Sequence, residues 1–257
     1  MSGAYYIGAV GLRAQERALE IVSNNIANIN TPAFKRSDVR FSAVLATRND
    51  PDAIAIDDIS AFSAAGVMAM AAPSLDEAGD LQNTGKPMDF AIQGRGFVEL
   101  MGPGGQTLLW RGGTLKVGDD GMLAAADSGL PLKAAITIPN DATSLTIGTD
   151  GVIRAMTSTD AAPVELGKIS LVTSDSVDGL TPLNGGLYRV DDDSKLRDAE
   201  AGQDGTGMLI QGSIERSNVD MSSEMVQLML VQRAYAANAQ TVQAADQLMA
   251  IANGLRR

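Results

Sequence analysis

"MVQLMLV", Met225 to Val231, is the stretch that decides how this chain folds. At 100° per residue, Met225, Val226, Leu228, Met229, Leu230 and Val231 point around almost the whole circumference of a helix. A helix apolar on every side needs burial on every side, and one partner helix from the same chain covers a single stripe. The remainder calls for more neighbours, from other subunits or from elsewhere in the chain. Outward from this run, Leu228, Val231, Tyr235, Asn238, Val242, Ala245, Met249 and Ala252 recur in steps of three and four, a heptad-like seam. Asp220 is placed to cap the helix, with Glu224 in its first turn and Arg256 and Arg257 suited to its C-terminal dipole. A helix of about 35 residues would span roughly 52 Å.

The N-terminus carries a matching pattern. From Gly3 to Asn30, the residues Tyr5, Gly8, Leu12, Gln15, Leu19, Val22, Ile26 and Ile29 form a second seam, with Arg13, Glu16, Arg17 and Glu20 off it. Pro32 drives Thr31 out of the helical region, so this helix is expected to end near Asn30. Two such helices make a thin pair with nothing to cover it, and self-assembly is the economical solution. Self-association is therefore assigned to Leu12, Leu19, Val22 and Ile26 on the first helix and to Met225, Leu228, Val231, Tyr235, Val242 and Met249 on the second. Asn24, Asn25, Asn28 and Asn30 crowd the end of the first helix. Amides there can donate to unpaired carbonyls or fix the register of an interface.

Between the helices the texture changes twice. Residues 36–80 have weak periodicity and read as an extended connector, with a short strand near Val67–Ala71. Residues 81–207 read as a mainly antiparallel β domain. Runs such as "FVEL", "QTLLW", "TLKV", "AITIP", "SLTIG", "LGKISLV" and "LYRV" are separated by Gly, Asp and Pro. "VGDDGML" and "IGTDGVI" place Asp-Gly between strands, a strong hairpin signal. The expected architecture is α+β. A helical domain built from residues 1–35 and 208–257 has its two long helices paired as a coiled coil, and the β domain lies between them in sequence.

Composition narrows the function. The chain has 257 residues and neither Cys nor His, which removes thiolate chemistry, the commonest general base and the commonest metal ligand. Residues 1–40 carry five basic and three acidic side chains, and residues 212–257 carry four of each. Since the whole chain has 20 basic and 31 acidic residues, the middle holds 11 and 24, a net −13. So acidic a surface argues against nucleic acid. The N-terminus has no basic stretch followed by an apolar run, so no cleaved signal peptide is expected. "GRGFVELMGPGG" and "GQDGTG" lack the setting of nucleotide-binding loops and read as turns. Asp191 to Asp193 imitate the start of a calcium loop that Lys195 breaks. "VDDDSKLRDAE" offers carboxylates to a cell-wall hydrolase, but it is too densely charged and too poor in aromatics for a sugar cleft. The reading is of a protein with no catalytic residues, cofactor or metal.

At this point the residues resemble a known family. "SNNIANINTPAFKR" is similar to the N-terminal signature of flagellar rod and hook proteins, with Asn28, Thr31, Phe34 and Lys35 in place. Ala33 stands where that pattern has Gly, which makes a positive φ costlier there. "LQNTGKPMDFAIQGRGFVEL" resembles the family's central segment, including Gly94, Gly96 and Phe97, and "SNVDMSSEMVQLMLVQRAYAANAQTVQAADQLM" its C-terminal helix. "LLWRGGTLKV" departs from the usual pattern, keeping Arg111 and Gly113. The length and the segments "AITIPNDATSLTIGTDGVI" and "APVELGKISLV" look most like the distal rod protein, with the proximal rod protein as the alternative. The resemblance implies export in an unfolded state by the flagellar type III apparatus, then helical assembly into a drive shaft across the periplasm. Implied partners are further copies of the chain, other rod subunits, the hook protein, the periplasmic and outer-membrane ring proteins, and the export apparatus.

Overall fold

Two long helices bracket a β-rich centre, an α+β fold. A computed structural model of the chain describes residues 2–47, 62–158, 162–174, 180–183, 185–190, 196–203 and 205–254. The acidic run 191–195, which carries the calcium-loop imitation and half of the hydrolase candidate, lies outside them. The chain divides into two compact units. One comprises residues 1–27, 37–72 and 220–257, the other residues 28–36 and 73–219.

In the first unit, α1 (Ser2–Ala27) and α2 (Met221–Gly254) run antiparallel. A Cβ on Gly8 would lie 2.7 Å from Val242 and one on Gly11 3.0 Å from Asn238, while Asn25 at the other end of α1 meets Glu224. Asp220 caps α2, accepting from the Ser223 amide at 3.0 Å and the Ser223 hydroxyl at 2.7 Å, and these bonds to its charged form lower its pKa. Helix α1 stops three residues before the expected Asn30. Thr31 bonds the Asn28 carbonyl and side chain at 3.1 and 3.0 Å, a local turn that replaces the helical ladder.

The extended connector is corrected by this unit. Residues 37–73 contain β1 (Ser37–Thr47) and β2 (Phe62–Pro73), paired as a two-stranded sheet, and the expected short strand is the end of β2. At its tail the faces alternate, with Met68 and Met70 exposed and Ala69 buried.

The second unit is antiparallel throughout its registered strand pairs. Strand β3 (Leu81–Asn83) pairs with β17 (Ser213–Glu215). A four-stranded sheet runs β16 (Met208–Gln211), β4 (Asp89–Gln93), β7 (Gly112–Val117) and β8 (Leu123–Ala125). A six-stranded sheet centres on β5 (Phe97–Met101), β6 (Thr107–Trp110), β12 (Leu171–Ser174) and β14 (Leu187–Val190). Period-two alternation sorts its side chains. Val98, Leu108, Trp110 and Leu171 enter the main core, and Phe97, Leu109, Val172 and Tyr188 form a smaller cluster on the opposite face. Ile169, two residues before Leu171, joins it in the main core.

The two Asp-Gly turns have the same build. Gly118 donates to Met122 and Gly148 to Val152, both at 2.8 Å, while Asp120 and Asp150 accept from the residue two positions on. Gly121 (φ 77°) and Gly151 (φ 86°) supply the left-handed step each turn requires. The second joins β9 (Ala142–Ile147) to β10 (Val152–Thr157). "AITIP" does not form a strand, since Ala135 at φ 49° breaks the extended run and only Thr137 bridges to Met122. Residues 208–219, assigned from sequence to the helical domain, sit instead in the β unit because β16 completes the sheet beside β4.

Candidate functional site

One carboxylate ties the β unit together. Glu215 Oε1 accepts from Lys35 Nζ at 2.6 Å and from the Gly79 amide at 2.9 Å, and Oε2 accepts from Arg111 Nη2 at 3.1 Å. Lys35 also donates to the Glu77 carbonyl at 2.7 Å, and Arg111 Nη1 to the Gly96 carbonyl at 2.8 Å. The side chains of Lys35, Arg111 and Glu215 are exposed by no more than 3%. The chain brings them together by laying residues 31–36 against the return strand. The Ala33 amide donates to the Glu215 carbonyl at 2.7 Å, the Arg36 amide to Asn218 Oδ1 at 2.7 Å, and Phe34 is buried. The register puts Ala33 at φ 57°, the left-handed conformation for which the family pattern has Gly.

Burial pushes the Lys35 pKa down and the nearby Arg111 adds to this, while the Glu215 carboxylate works the other way. The Arg111 guanidinium lies 5.6 Å over the Phe97 ring, which in turn meets Tyr188 edge-on at 5.5 Å. Burial drives the Tyr188 phenol well above its ordinary pKa. Arg111 Nε is a buried donor without a hydrogen-bond acceptor among the described residues. Both carboxylate oxygens of Glu215 are thus taken by cations of the same chain. The cluster is a lock, and removing one partner of such a group costs about 3–5 kcal/mol because a charge is left buried alone.

A second lock sits in the helical unit and answers why α1 ends in amides. Asn25 is buried. Its Nδ2 donates to the Ser37 carbonyl at 2.9 Å and to Glu224 Oε2 at 3.1 Å, and its Oδ1 accepts from the Ser37 amide at 2.9 Å. One side chain thus fastens the end of α1 to β1 and to the first turn of α2. Asn28 serves the turn that stops α1. Sequence reasoning passed over Glu215 and Glu224 as site residues. Glu224 stood in the quoted C-terminal segment and Glu215 two residues before it, but their partners lie 199 and 180 residues away.

The residues assigned to self-association divide sharply. Val22 and Val231 are buried, and Leu12, Leu19, Ile26, Leu228, Tyr235, Val242 and Met249 are half-buried. On α2 these lie on the face where Val242 meets Gly8, so that seam is occupied within the chain. Met225 is different, being 52% exposed, and Val226, Met229, Leu230, Leu248 and Ile251 are each more than half exposed as well. Tyr6 and Ile7 are exposed on α1. Of the other motif residues, Phe97 is buried against Arg111, Gly96 supplies the carbonyl to that arginine, and Gly94 takes φ 119° with Gly207 packed against it. Among the described residues no cluster of acidic side chains could hold a metal ion, and no helix is long and apolar enough to cross a membrane.

Three family profiles match the chain. "Flagella basal body rod protein" matches residues 6–35, "Flagellar hook protein FlgE/F/G D1 domain" residues 91–155 and "Flagellar basal body rod FlgEFG protein C-terminal" residues 210–255. The chain is 32% identical to the flagellar basal-body rod protein FlgG of Caulobacter vibrioides, over 96% of this chain and 97% of that protein. It is 31% identical to the FlgG of Buchnera aphidicola from Acyrthosiphon pisum, over 97% and 98%. A rod protein FlgF of Caulobacter vibrioides is 29% identical over 91% and 90%. The chain belongs to the flagellar basal-body rod protein family.

Members of the rod family are structural subunits, and this chain is a structural protein of the flagellar basal body, not an enzyme. Its partners are found among flagellar rod and hook subunits. The ionic lock has a plain relation to the family. Lys35 falls in the first matched stretch, Gly96, Phe97 and Arg111 in the second, and Glu215 in the third. The three stretches of the rod family's sequence meet on one carboxylate.

Proposed function

We propose that this rod-family chain polymerises helically, its terminal helices pairing as a coiled coil within each subunit and meeting other copies through their outward faces. The observation that carries the reading is the outer face of α2, where Met225, Val226, Met229, Leu230, Leu248 and Ile251 are all more than half exposed. Monomers rarely leave so many large apolar side chains bare on one helix, and such patches mark interfaces. The product is the distal rod, consistent with FlgG relatives that span nearly the whole chain. The hook protein and the periplasmic and outer-membrane rings are its neighbours, and subunits reach the growing end unfolded through the flagellar type III apparatus.

Leu230→Asp tests this. It places a charge on the outer face, away from the seam that holds α1, so the chain should fold yet remain in the supernatant under conditions where the native chain pellets as rods. Normal-length rods assembled from Leu230→Asp would overturn the reading.

A further inference from the structure

Besides Phe41, Met68 and Met70 on β1 and β2, and Met221 at the first turn of α2, the helical unit exposes two groups of large apolar side chains on α2. The base patch is Met225, Val226, Met229 and Leu230 near the start of α2. The tip patch is Leu248 and Ile251 near its end. Tyr6 of α1, also exposed, is not part of it: Gly8 faces Val242, and Tyr6 lies about 160° around α1 from Gly8, turned away from α2. Val226, Leu230, Leu248 and Ile251 share one side of α2, their directions falling within about 60° of one another. Between the patches α2 exposes no large apolar side chain. On the side of α2 that carries the patches, Arg233 and Gln240 are exposed, with the small side chains of Ala237 and Ala244. On one straight helix the patch centres lie 22 residues apart, about 33 Å at 1.5 Å per residue, so a chain cannot cover one with the other.

We infer that the base patch of one copy packs on the tip patch of the next, in a parallel contact staggered by about 33 Å along the helix axis. This deepens the self-assembly reading and rests on it. The alternatives fit less well. Side-by-side pairing in register sets Arg233 against Arg233. An antiparallel pair also joins base to tip, but both patches of both chains are then used and the assembly closes at two. A staggered parallel contact uses one patch of each kind and leaves the others free, so it propagates without end, as a rod requires.

The chain has no cysteine, so introduced thiols report without background. Val226→Cys and Leu230→Cys mark the base, and Leu248→Cys and Ile251→Cys the tip. Each base variant is mixed with each tip variant, assembled, pelleted to confirm rods, and oxidised. A disulfide needs Cα atoms within about 7 Å, which excludes a bridge between base and tip of the same chain. At least one base–tip mixture should give cross-linked dimers at ten times or more the yield of either variant alone. The double variant Leu230→Cys/Leu248→Cys, or whichever pair reacts, should give a ladder of multimers on a non-reducing gel. Rods that pellet normally while no base–tip mixture cross-links, or while base–base bridges dominate, overturn the staggered contact alone. A double variant that stops at dimers does the same in favour of the closed pair. Native chain that never pellets overturns both this inference and the self-assembly reading beneath it.

Discussion

Ala33 sits at φ 57° with its side chain buried, between a helix that has just stopped and a lysine that must reach the Glu215 carboxylate. An L-residue with a Cβ holds the left-handed conformation at a cost of roughly 1–2 kcal/mol, whereas Gly visits it freely. Gly also loosens the unfolded chain, by up to about 1 kcal/mol, so the two effects partly cancel. Ala33→Gly should stabilise the β unit by about 0.5–1 kcal/mol, read as a higher urea midpoint at unchanged slope. Lys35 gives a prediction in pH. Its folded pKa is held below 10.5, chiefly by burial, so between that lowered value and 10.5 the folded chain has lost a proton that the unfolded chain keeps. Stability attributable to Lys35 therefore rises with pH through this window and is flat below it. The difference in urea midpoint between the native chain and Lys35→Met should grow in the native chain's favour from pH 8 towards pH 10. Tyr188 acts in the opposite direction and later. Its raised pKa lets the unfolded phenol ionise first, so its contribution falls only as pH climbs past about 10. A midpoint difference that does not change between pH 8 and pH 10 would count against the buried cation.

At the scale of elements, what the sequence made legible was local. The helices announced themselves by three-four periodicity, and the Asp-Gly hairpins by turn chemistry carried in four residues. The ribbon of β1 and β2 stayed hidden because "FSAAGVMAMAAP" is small and apolar at nearly every position, so alternation gives no contrast between its faces. The ionic lock stayed hidden for a different reason, since Lys35 and Glu215 look like ordinary surface charges until the fold removes the water around them. The helix pair offers its own test. Gly8 is buried and faces Val242 so closely that any Cβ would stand 2.7 Å from a branched methyl. Leu at position 8 gains up to about 1 kcal/mol of helix propensity but forces the helices apart, and overpacking of this kind costs about 1–3 kcal/mol. Gly8→Leu should lower the thermal midpoint of the helical signal, and Val242→Ala in the same chain should restore much of it. A midpoint raised by Gly8→Leu alone would mean that the two helices do not approach as closely as described.

The two units differ in how completely each satisfies itself. The β unit closes around Phe90, Leu100, Leu123, Ile153 and Leu171, which are almost wholly buried, and it seals its charges on Glu215. The helical unit fastens Asn25 and Glu224 but leaves the outer face of α2 in water along most of its length. Local stability follows buried apolar contact, so opening free energies should separate along the same division. In dilute monomer, amides of β4, β5 and β6 should exchange slowly, near the rate set by global unfolding. Those of Met225 to Ile251 should exchange at least tenfold faster, a gap of roughly 1.4 kcal/mol or more in opening free energy. The proposed assembly covers the outer face, so on that reading protection in α2 should rise towards that of the sheets once rods form, while the β4 to β6 amides change little. Hydrogen exchange followed by mass spectrometry, on monomer and on pelleted rods, reads both states. If α2 in non-assembling monomer were already as protected as β5, the bare outer face would not be a source of instability, and covering it could not be what drives the copies together.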